Sequence, residues 1–144
     1  MALATVAHDL KQLPNGGFLL AGDGSVAGIN NSDKDLYLVK TDETGQQIDD
    51  LLIQKSTANQ SATGVELLPN DQYIVMGTDN AQIFMRRIAW NKQMIWERTY
   101  TKTGNNSAVF LHRVASDGGY VLAGNDNANA KVWVIKTDGD GNEK

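Results

Sequence analysis

ASDGGYVLAG, residues 115–124, runs through a turn signal, an aromatic residue, aliphatic residues, a small residue and a glycine. The same order stands at LPNGGFLLAG (13–22) and LPNDQYIVMG (68–77). The aromatic positions are Phe18, Tyr73 and Tyr120, spaced 55 and 47 apart. A second pattern follows each stretch: DLYLVKTDETGQ from Asp35, QIFMRRIAWNKQ from Gln82 and KVWVIKTDGDGN from Lys131. Its basic residues Lys40, Arg87 and Lys136 are 47 and 49 apart. Three copies of one unit decide the architecture, because each unit must bury its apolar surface on its neighbours. The copies differ in length between the two patterns, after Gly22, Gly77 and Gly124, where a surface loop absorbs insertions.

Pro-Asn-Gly-Gly, Pro-Asn-Asp, Ser-Asp-Gly-Gly, Thr-Asp-Glu-Thr-Gly and Thr-Asp-Gly-Asp-Gly are turns, since Asn, Asp and Gly tolerate positive φ. Between them lie short runs rich in β-branched and aromatic residues, which read as strands. The first repeat predicts strands at 5–13, 17–22, 35–40 and 48–55. The second predicts them at 63–68, 72–77, 82–88 and 93–100, and the third at 107–114, 119–124 and 131–137. The fourth strand of the third repeat is missing, as the chain stops at Lys144. No stretch of ten residues holds a helical period. Runs such as Val132-Trp133-Val134-Ile135 are apolar on both faces and need cover on both sides. The expected fold is therefore all-β: a β-propeller of three four-stranded antiparallel blades, at about 1–58, 59–105 and 106–144, in one domain spanning 1–144.

Propellers have four to eight blades, so three leave two apolar blade faces open. Two copies would supply six blades with two-fold symmetry, and the expected partner is a second copy of the chain in a homodimer. The alternative is that these residues belong to a larger propeller. That could be an enzyme, a hydrolase or lyase with carboxylates facing the channel, or a longer extracytoplasmic protein.

Composition narrows the function further. The net charge is −4 and no block of five like charges occurs, which argues against a nucleic-acid or anionic-membrane surface. The absence of Cys excludes disulfides, thiolate catalysis and thiolate metal sites. No run approaches the length a membrane helix needs, and MALATVAHDL lacks the basic and apolar regions of a signal peptide.

The repeats resemble bacterial β-propeller repeats of the pattern D-G-G-[YF]-[VIL]-L-A-G followed by [DVWLI]-K-T-D-x-x-G-N. The third repeat carries it best, at 117–124 and 132–142; the second departs from it, with Asp71-Gln72 for Gly-Gly and Arg87-Ile88-Ala89-Trp90 for Lys-Thr-Asp. The resemblance implies a propeller and an extracytoplasmic setting, and it implies no reaction.

One stretch imitates a cofactor site. Gly22-Asp23-Gly24-Ser25-Val26-Ala27 has the glycine spacing of a dinucleotide turn. Yet Gly22 repeats as Gly77 and Gly124 without the following glycine, and loop residues rather than a helix come next, so no cofactor is expected. The loops at one rim are rich in Asn, Asp, Ser and Thr, which suit sugar hydroxyls. Asp23, Asn30, Asn31, Asp79, Asn80, Asn125, Asp126 and Asn127 are the candidate ligand-binding residues for a glycan or a protein. Asp138, Asp140 and Asn142 offer alternating oxygens as calcium loops do, though without the full loop and its closing Glu, and a tight hairpin turn explains them equally. His8 and His112 occupy non-equivalent positions and read as strand histidines. Gly24-Ser25-Val26-Ala27-Gly28 misplaces the serine of a nucleophile elbow, and Asp49 and Asp50 point to opposite faces of a strand. Trp90 takes a turn position, where its indole either anchors a contact or folds back on its own blade. No catalytic residues are expected; the chain reads as a self-associating, non-catalytic binding or scaffold module.

Overall fold

A computed structural model describes residues 3–26, 34–54, 59–101, 106–114 and 116–144. Among them are eleven strands and no helix. The first sheet holds β1 (Leu3–Gln12), β2 (Phe18–Val26), β3 (Asp35–Thr41) and β4 (Gln47–Ile53). The second holds β5 (Gln60–Leu68), β6 (Gln72–Asp79), β7 (Gln82–Ala89) and β8 (Met94–Tyr100). The third holds β9 (Asn106–Arg113), β10 (Tyr120–Asp126) and β11 (Lys131–Lys136). Every sheet is an antiparallel meander in chain order. The third has three full strands; a single bridge, Thr137 to Glu143, stands where a fourth would begin. That rung repeats Thr41 to Gln47 and Ile88 to Met94 in the other sheets.

The turns form as their residues dictate. Asp42 accepts from the backbone N–H of Thr44 and of Gln46, each at 2.9 Å, and Asp138 accepts from Asp140 and Asn142 in the same way. Asn80 and Ala81 both have positive φ, 43° and 69°, and form a two-residue hairpin between β6 and β7.

Strand ends differ from the sequence expectation at the repeated glycine. β2, β6 and β10 run past Gly22, Gly77 and Gly124 rather than ending there. The reason lies across the sheet. The first strand of each sheet bulges at this level, between Ala7 and Asp9, between Ala62 and Gly64, and opposite Ala123 and Gly124. The bulge pushes a carbonyl towards the glycine: a Cβ on Gly22 would stand 1.8 Å from the Val6 oxygen, and one on Gly77 2.1 Å from the Ser61 oxygen.

The sheets stack in sequence. β5 packs on β1, β2 and β3, and β9 packs on β5, β6 and β7. Leu19, Ala21, Leu36, Leu38 and Leu51 of the first sheet bury against Val65, Tyr73, Val75, Phe84 and Ile88 of the second. Alternate residues of the same strands, Ile74, Met76, Ile83 and Met85, bury against Leu111, Tyr120, Leu122 and Ile135 of the third. The middle sheet is thus covered on both faces, as its unbroken apolar runs require.

The end sheets are covered on one face only. Val132 and Val134 are 74% and 65% exposed, whereas Ile83 and Met85, which hold the same repeat positions, are 0% exposed. On the first sheet Leu10 is 51% exposed, while its counterpart Val65 is fully buried.

Candidate functional site

Polar side chains gather at three places: the rim carrying the β2–β3 and β6–β7 connections, a groove along β1, β5 and β9, and the opposite, turn-bearing rim.

At the first rim, Asp23 extends from β2 and is nearly fully buried. Its Oδ1 accepts from His8 Nε2 at 2.7 Å and from Ser61 Oγ at 2.8 Å, and Lys34 Nζ lies 3.2 Å from Oδ2. Burial pushes the Asp23 carboxyl up, but the bonds from His8, Ser61 and Lys34 outweigh it and hold the group below its ordinary value. Serine, histidine and aspartate meet here, yet they do not form a relay. A relay needs the acid on one ring nitrogen and the hydroxyl on the other. Here Ser61 Oγ lies 3.4 Å from the same Nε2 that binds Asp23, and it gives its proton to the carboxylate. The cluster is a joint: His8 and Asp23 belong to the first sheet, Ser61 to the second. Beside it Gln60 N donates to the Lys34 carbonyl at 2.7 Å, and Asn106 N repeats this bond to Ala81 at 3.0 Å between the second and third sheets.

The other rim candidates also serve the fold. Asp79 Oδ2 lies 3.5 Å from Nη2 of Arg86, a guanidinium only 1% exposed between the first two sheets. Arg86 also donates to Gln60 Oε1 at 2.7 Å and to Glu97, and lies over the Phe84 ring. Asn80 forms the β6–β7 turn. Asp126 accepts from Ala128 N at 3.2 Å and from Asn129 Nδ2 at 2.6 Å, and Asn127 donates to Ser107 Oγ at 3.3 Å. Asn125 is half-buried on the open face of β10, across from Val132. Asn30 and Asn31 lie outside the described residues. Sequence reasoning missed Arg86, although a signal was present: its counterparts in the other repeats are Val39 and Ile135.

The groove along β1, β5 and β9, about 600 Å³, is lined by His8, Asp9, Lys11, Thr63, Phe110 and His112, among others. Lys11 Nζ stands 3.5 Å from Glu66 Oε1, and Asp9 Oδ2 accepts from Val65 N at 2.9 Å. At the turn-bearing rim a cleft of about 550 Å³ is lined by Asn15, Lys40, Asp49, Asp71 and Trp90 with apolar neighbours. Trp90 does not stay on its own sheet. Its Nε1 donates to Asp49 of the first sheet at 2.5 Å, and Lys40 Nζ lies 3.9 Å above its ring. Lys40 also pairs with Asp71 at 2.6 Å; that bond and one from the Tyr73 hydroxyl hold the Asp71 carboxyl low against the upward push of burial. Asp50 takes the opposite direction from Asp49 and accepts from the Tyr37 hydroxyl at 2.8 Å; burial and this carboxylate push that phenol up to about 12.

Asp138 spends its oxygens on its own turn, on Asp140 N, Asn142 N and Asn142 Nδ2. Among the described residues no group of three His, Asp or Glu could hold a metal ion. Compared with models of protein families, the chain matches none, and a search of curated proteins gives no match.

Proposed function

We propose that the three sheets are propeller blades and that the chain is a non-catalytic binding or scaffold module, working as a ring closed by a second copy. The observation that carries this reading is the contrast between counterparts: Val132 and Val134 stand in water where Ile83 and Met85 are sealed by the next sheet. A soluble chain with two such faces associates through them. Three blades per chain and four to eight per ring leave six as the common number, hence two chains. The polar groups support a scaffold more than an enzyme. The carboxylates of Asp23, Asp79 and Asp126 are used to join or shape the sheets, and the Ser61–His8–Asp23 cluster has the wrong connectivity for nucleophilic attack. Among the described residues these carboxylates are committed to the fold, so the scaffold reading stands ahead of the lectin one.

Light scattering behind gel filtration tests the proposal. The expected mass is about 31 kDa, two chains of 15.7 kDa each. A mass of 15.7 kDa at all concentrations would sink it.

A further inference from the structure

We infer that the exposed face of the third sheet docks head-to-tail on the exposed face of the first sheet of a second copy, in the register that already joins the sheets within one chain. The inference rests on the ring reading above and specifies its interface.

The strand register fixes which residues are counterparts. Asp9, Gly64 and Phe110 are paired with Ala21, Met76 and Ala123; Leu10, Val65 and Leu111 are paired with Leu20, Val75 and Leu122. At both internal junctions, the first series meets the second on the next sheet. Asp9 Oδ2 accepts from Val65 N at 2.9 Å, and a Cβ on Gly64 would stand 2.8 Å from Leu111 Cβ. The members left over are Phe110 and Leu10, which are 71% and 51% exposed. The same rule sets Phe110 against Leu10 of the partner subunit.

A knob and a hole repeat the pattern. Ile83 presses on Gly124 of the next sheet so closely that a Cβ there would lie 2.4 Å from its Cδ1. The leftover counterparts are Val132, exposed in the single chain, and Gly22. Gly22 lines a cavity of about 110 Å³ with Thr5, Ala7, Leu20, Tyr37 and Val39. A cavity of roughly 150 Å³ takes a benzene ring, so this one suits a branched aliphatic side chain. Charge agrees as well. Lys40 lies over Trp90 of the next sheet, and its counterpart Lys136, which in the single chain is paired with Asp117 of its own sheet, would come beside Glu43, the residue that holds the Trp90 position in the first repeat. A cation and a carboxylate thus face each other at the rim. Because head and tail are different surfaces, two copies close the ring by using the contact twice.

The chain has no cysteine, so introduced thiols report contact without background. Phe110→Cys and Leu10→Cys are made as separate chains, checked for strand content by circular dichroism, mixed and mildly oxidised. The mixture is expected to give a disulfide dimer that neither variant gives alone. Self-linking of either variant in the same yield means like faces meet and overturns the register. So does a dimer mass without the mixed cross-link. Val132→Glu, at a position already in water in the single chain, is expected to leave the fold intact and weaken the dimer at least about tenfold. Unchanged dimerisation of that variant also overturns the inference. A wild-type chain that stays monomeric up to about 1 mM overturns the ring reading itself.

Discussion

Gly77 sits where a neighbouring strand bulges into the space a side chain would fill. An added Cβ would lie 2.1 Å from the Ser61 carbonyl and 2.7 Å from the Phe84 ring. Gly77→Ala is expected to lose about 3 kcal/mol of stability in urea denaturation, because a backbone oxygen cannot step aside as a side chain can. Ala81 presents the reverse case, an L-residue held at φ 69°. Ala81→Gly relieves that strain and is expected to gain about 0.5 kcal/mol, the rest being offset by the freedom of glycine in the unfolded chain. Asp23 links single-residue chemistry to pH. Its carboxyl is held below the ordinary 3.8, so the folded chain releases this proton more readily than the unfolded one. Its contribution is therefore present above about pH 4 and is lost as pH falls through the folded value. Asp23→Asn is expected to be less stable than wild type at neutral pH and to show a flatter acid limb in denaturation measured from pH 6 to pH 3. The sequence disclosed the repeating glycine but not its cause. A glycine at a strand end and a glycine opposite a bulge look alike in one dimension, since the carbonyl that excludes the side chain belongs to another strand.

The strands were legible because the turn residues between them are strong and local. Asp42 and Asp138 each organise their own turn, so nothing distant was needed to place it. What joins one sheet to the next was far less legible, because it depends on residues many positions apart. Trp90 reaches Asp49 across 41 residues and Ser61 reaches Asp23 across 38. Arg86 is the main case. It replaces an aliphatic repeat position and is satisfied by Gln60, Glu97 and Asp79, drawn from β5, β8 and β6. Arg86→Ala is expected to lose about 3 kcal/mol, since it opens a cavity beside Phe84 and strips partners from Glu97 and Gln60. Arg86→Lys keeps the charge yet cannot serve three acceptors with a planar fork, so it recovers less than half of that loss. Equilibrium denaturation of the two variants separates charge from geometry.

At the scale of the molecule, the repeat count was plain in the sequence and the three sheets follow it. The two end faces left open were legible too; what covers them was not, because that depends on whatever stacks beyond the chain's own sheets. The middle sheet needs no such help: Ile74 and Met76 are sealed by the third sheet, and Tyr73 and Val75 by the first. Amide hydrogen exchange should reflect this asymmetry. β6 and β7 are expected to exchange slowest, by global unfolding, at every protein concentration. β2, β3, β10 and β11 each have one face sealed and one face open in the single chain, and their protection depends on what covers that open face. If a second copy does so, protection in these four strands rises with concentration while β6 and β7 change only with global stability, because binding stabilises the covered segments by mass action. Protection that stays flat across a hundredfold range of concentration, beneath a constant dimer mass, would place the contact elsewhere on the molecule. The rise should be shared by the first and third sheets alike, since a head-to-tail contact covers one face of each.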